Sequence, residues 1–94
     1  MTRRSKSTQS AESIRTLQQA HAYLGPRRPV ESAPAVERVA FFRESARIYA
    51  AVAETDRFHH HEALYWATRE REYAQAAQLE LDRGKGVTSG ARHA

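Results

Sequence analysis

Between Pro34 and Gly84 the chain has no other Pro and no Gly, yet this stretch holds all three Phe, the only Trp and three of the four Tyr. Gly and Pro interrupt regular structure more strongly than any other residues, so their absence leaves helix-forming sequence with one aromatic cluster to bury. The cluster is densest over Phe58-His59-His60-His61-Glu62-Ala63-Leu64-Tyr65-Trp66-Ala67.

Pro34 suits the first position of a helix, where its missing N–H has no intrahelical bond to lose. At 100° per residue, Val39, Phe42, Ala46, Tyr49, Ala50 and Ala53 share one side of that helix, and Phe41, Ile48 and Val52 form a second stripe beside them. Arg43, Glu44, Arg47 and Glu54 take the opposite side. An apolar arc this wide makes it the central helix, packed on two sides.

A reversal is expected near Thr55-Asp56, although no Gly or Pro marks it. Thr55 or Asp56 can cap a new helix, and the apolar arc of the next segment is rotated by roughly a quarter turn. In that third helix Ala63, Trp66, Ala67, Ala74, Ala77 and Leu81 share a face, with Tyr73 at its edge. Folding about residue 56 sets Phe42 and Tyr49 across from Glu70, Ala74 and Ala63, so that large side chains face small ones. The structural core predicted here is Phe42, Tyr49, Trp66 and Tyr73.

Upstream, Ser10 fits an N-cap with Glu12 in the first turn, and Ile14, Leu17, His21 and Leu24 form one narrow apolar stripe. Gly25 and Pro26 end that helix, and residues 27–33 are a linker. The predicted domain is therefore residues 10–82, all-α, with a short N-terminal helix over about 11–24 and a long antiparallel hairpin of helices over about 34–54 and 57–82. Residues 1–9 and 83–94 are polar or Gly-rich and basic, and are expected to be disordered tails.

The formal charge of +4 belongs to the ends. Residues 36–82 carry nine acidic and six basic side chains, whereas residues 1–35 carry six basic and two acidic ones and residues 83–94 carry three basic ones. The predicted folded part would repel phosphate, so nucleic-acid contact falls to Arg3, Arg4, Lys6, Arg27 and Arg28. No Cys is present, which removes disulfides and thiolate metal sites. No apolar run approaches the ~20 residues of a membrane span. The expected setting is the cytoplasm.

Three consecutive imidazoles, His59-His60-His61, point in three directions on a helix and do not make a metal site, which needs spacings of three or four. Their expected role is local pairing, such as His60 with Asp56. Arg38 and Glu70 interrupt the apolar arcs of their helices and fall roughly opposite each other, a candidate ion pair with a solvated alternative. Glu70 has no second positioned group for acid–base catalysis, and neither an enzyme nor a cofactor is expected. Phe41, Ile48, Val52, Leu64, Tyr65 and Leu79 lie off the hairpin face and are the predicted partner contacts.

Asp56, His60-His61-Glu62-Ala63-Leu64-Tyr65-Trp66-Ala67 and Arg69-Glu70-Arg71-Glu72 together resemble a segment of short helical proteins of actinobacteria, a group with no assigned activity. The resemblance covers about half the chain and implies a small cytoplasmic helical protein without implying a chemistry. The function expected is a non-enzymatic module that binds a protein partner or itself. The alternative is a small regulatory protein that binds nucleic acid through basic tails.

Overall fold

The computed structural model describes residues 11–93, with side chains to Gly84. Among these residues there are three α-helices and no strand: α1 (Leu17–Leu24), α2 (Ala35–Thr55) and α3 (His60–His93). Short 3-10 turns precede α1 (Ala11–Ser13), follow it (Gly25–Arg27) and join α2 to α3 (Arg57–His59). The predicted hairpin is present. Its last helix continues past the boundary expected at Asp82, while the predicted 1–9 tail and the Ser10 cap lie outside the described residues.

The helix predicted over residues 11–24 is divided, because Thr16 is a better cap. Its backbone is extended (φ −120°, ψ 159°), and its Oγ1 accepts the Gln19 N–H at 3.1 Å. The Gln19 Oε1 accepts the N–H of Thr16 in return at 3.1 Å, closing a capping box three residues wide. At the other end Gly25 stays in the right-handed helical region, with φ −52° and ψ −56°. The helix therefore tightens into a 3-10 turn, and the extended Arg28 starts the linker.

At the hairpin corner Asp56 leaves the helical region (φ −102°, ψ 77°) while its N–H still reaches the Val52 carbonyl at 2.7 Å. Asp side chains compete for backbone donors and so favour such corners. Here the carboxylate takes the Leu17 N–H at 2.8 Å and His59 Nδ1 at 3.0 Å. The Thr55 hydroxyl donates to the Arg15 carbonyl at 2.7 Å. The corner thus supplies a partner to the Leu17 N–H, which the capping box leaves unpaired.

Along α3 the buried seam is Ala63, Ala67, Glu70, Ala74 and Ala77, at alternating spacings of four and three. Four alanines let α2 approach closely, and the larger Val39, Tyr49 and Val52 fill the space. Each such side chain contributes about 1.5–3 kcal/mol by leaving water. The register differs from a fold about residue 56: Phe42 meets Tyr73, Ser45 meets Glu70 and Tyr49 meets Trp66. The Arg57–His59 turn occupies the corner and displaces the pairing along α3.

The second stripe of α2, predicted as partner contact, is covered within the chain. Ile48 (6% exposed) and Val52 (1%) are buried with Ile14, Leu17, Ala20 and Leu24, and Phe41 packs half-buried against them. The narrow stripe of α1 suffices because Ala20 lets its backbone come close. Conversely, Tyr73, predicted as core, is exposed at the hairpin edge, and Phe42 and Trp66 are half-buried; Tyr49 is the one fully buried ring of the predicted four.

Candidate functional site: a buried carboxylate and an exposed aromatic ladder

Glu70 sits in the centre of the alanine seam with 0% exposure. A carboxylate there needs partners, and the opposing helix places the small Ser45 where a larger residue would exclude it. The Ser45 hydroxyl donates to Glu70 Oε1, and Arg28 Nη2 donates to the same oxygen at 3.1 Å. The other oxygen, Oε2, is buried with no hydrogen-bond partner among the described residues. Arg28 reaches this carboxylate from the linker, with its guanidinium 5.2 Å from the Phe41 ring centroid and 5.8 Å from that of Phe42. Such stacking suits a planar, weakly hydrated cation.

The predicted Arg38–Glu70 pair is therefore replaced on both sides. Arg38 donates to Glu80 at 2.9 Å and to the Ala33 carbonyl at 2.9 Å, because the displaced register carries it past Glu70. Arg28, assigned above to nucleic acid, is spent on Glu70. Arg27 is likewise engaged, donating to the Tyr23 carbonyl at 2.7 Å and lying 3.9 Å from that ring's centroid. Arg3, Arg4 and Lys6 lie outside the described residues.

Next along the seam, the Tyr49 hydroxyl meets His21 Nδ1 at 2.7 Å, and its ring stacks on Trp66 with centroids 6.0 Å apart. Burial and then the Glu70 charge push the Tyr49 phenol up to about 12, against the opposing influence of Arg28. Trp66 in turn meets Tyr65 edge-on at 5.4 Å. From there the aromatic groups pass to the surface.

Tyr65, Arg69 and Tyr73 are four residues apart on α3 and share its outer edge. Arg69 hydrogen-bonds both phenolic oxygens and packs on both rings, with centroids 5.8 Å and 5.2 Å away. Those bonds raise the Arg69 pKa further, led by Tyr73. Tyr65 is 53% exposed and Leu79 59%; Leu64 is also exposed, and Phe58 stands out from the corner at 92%. Of the predicted partner contacts, Leu64, Tyr65 and Leu79 thus reach the surface. Tyr73 and Arg69 join them, and both were readable from the spacing of four. Ser45 and the Arg28 latch were not, since neither has a local signature.

The histidines pair locally, but in a different pattern from the predicted His60–Asp56 contact. His59 meets Asp56, while His60 Nδ1 bonds the Ala53 carbonyl at 2.7 Å, because the 3-10 turn brings position 59 over the aspartate. The Leu17 N–H, and secondly His59, hold the Asp56 carboxyl below its ordinary range. Among the described residues no three His, Asp or Glu side chains converge as a metal site, and no helix is long and apolar enough to cross a membrane. No family model, curated protein or solved structure matches this chain.

Proposed function

We propose that this chain is a non-enzymatic interaction module that binds a protein partner, or a second copy of itself, through the outer face of α3. The observation that carries this reading is the exposed Tyr65–Arg69–Tyr73 ladder on a folded helix, backed by half-buried Trp66. Tyr, Trp and Arg dominate the energetics of protein interfaces because they bring large area and a polar tip with little rotamer freedom to lose. Arg69 already holds both rings, which lowers the ordering cost of a contact. The reading is supported further by Glu70, whose buried carboxylate sits behind Arg28, out of reach of a substrate.

The test is association measured by sedimentation and by affinity capture, comparing the wild-type chain with Tyr65→Ala/Tyr73→Ala. The double variant should keep its helical circular dichroism and lose the self-association or the captured partner. Equal association by both forms would move the contact elsewhere.

A further inference from the structure

The α2–α3 hairpin has a groove along each side of its seam. At 100° per residue around α2, Ile48 and Val52 lie on one side of Tyr49, and Arg43, Arg47 and Ala50 lie on the other. The first groove is filled by α1. The second is a groove of about 350 Å³ lined by Arg43, Ala46, Arg47, Ala50, Arg71 and Ala74. We infer that this second groove is a docking site for an acidic α-helix of another protein.

Shape and charge both lead there. The floor is alanine from both helices, the same device that lets α1 and α2 approach their neighbours closely, so a helix backbone fits against it. Arg43 and Arg47 are one turn apart, a rise of about 6 Å, which matches carboxylates at i and i+4 on a docked helix, with Arg71 on the facing wall. No acidic residue lines the groove. Its arginines are lightly held: Arg43 bonds neutral Gln78 at 3.0 Å, Arg71 bonds Thr68 at 3.4 Å, and Arg47 pairs with Glu44 on the exposed surface. Exchanging such contacts for a partner's carboxylates costs little.

Because residues 36–82 are otherwise net acidic, an acidic helix is repelled from the rest of the domain and directed to this groove. The chain's own ends do not suit it, since Arg3, Arg4, Lys6, Lys85 and Arg92 bring the same sign of charge. No aromatic side chain lines the groove to stack on a base, which sets nucleic acid aside.

The experiment titrates the full chain with a fluorescent amphipathic peptide of about 20 residues, with Ala on one face and flanking Glu at i and i+4. A version with Gln for Glu is the control, and amide chemical shifts locate the contact. The acidic peptide should bind at least about tenfold more tightly than its control, lose affinity with added salt, and shift Ala46, Ala50 and Ala74. Arg43→Gln/Arg71→Gln should remove the difference with circular dichroism unchanged. Equal binding of both peptides, shifts confined to Tyr65 and Tyr73, displacement by inorganic phosphate or duplex DNA at constant ionic strength, or self-association of the chain that Arg43→Gln/Arg71→Gln abolishes would each overturn the inference. Because Tyr65→Ala/Tyr73→Ala leaves this groove intact, that variant should bind the peptide like the wild type.

Discussion

α1 and the linker that follows it pack along the same hairpin but are held by opposite means. α1 presents Leu17, Ala20 and Leu24 to Ile48, Val52 and Ala63, a dry contact fixed at its start by Asp56 and Thr55. The linker is held by two guanidiniums, Arg28 between two Phe rings and a buried Glu70, and Arg38 of α2 on the Ala33 carbonyl. Apolar contacts lose strength in proportion to the area removed, whereas a buried charge depends on its partner being present. One half of the attachment should therefore tolerate conservative change, and the other should weaken sharply on loss of Arg28, because Glu70 is then buried without its cation.

The largest effect is expected from Ile48→Glu, which places a carboxylate beneath α1 with no partner. A loss above about 3 kcal/mol and collapse of the cooperative melt are expected. If the variant stayed folded and merely lost association, α1 would not be covering this stripe in solution. Arg28→Ala comes next. It strips Glu70 of its cation and should cost about 2–3 kcal/mol by denaturant titration, reduced from the fully buried case because Arg28 itself reaches solvent. Adding Glu70→Gln should recover most of that loss. If it does not, stacking on Phe41 and Phe42 rather than charge holds the linker.

Tyr49→Phe should cost about 1 kcal/mol through the lost bond to His21. It should also change the alkaline limb. The phenol is pushed up from an ordinary 10.0 to about 12 in the folded chain, so the stability it carries is whole below pH 10 and is lost as the pH rises through 12. The variant's melting temperature should fall less steeply over that interval. The smallest effect belongs to Asp56→Asn at the α1 corner. A carboxyl held below its ordinary range contributes stability above about pH 4 that is lost as the pH falls through its folded value. The variant should show a shallower acid limb, read most directly as hydrogen exchange at the Leu17 amide. Equal acid limbs would show that burial alone, without the corner carboxylate, positions α1.

The helices, the reversal at Asp56 and the small-residue seam of α3 are written in the sequence, because each depends on residues within a turn or two of one another. Helical spacing puts Ala63, Ala67, Ala74 and Ala77 on one face whatever they pack against and sets Tyr65, Arg69 and Tyr73 in a row beside it. The exposure of Tyr73, predicted as core, came only with the packing of the hairpin. Only the tertiary structure decided which groups meet. Arg28 is 42 positions from Glu70, and the 3-10 turn at Arg57–His59 displaces the register enough to pass Arg38 on to Glu80. A turn's worth of displacement changes every partner across a seam while leaving each helix's own periodicity intact. For the same reason the burial of Ile48 and Val52 depended on where an eight-residue helix came to rest, and nothing local to α2 could determine that.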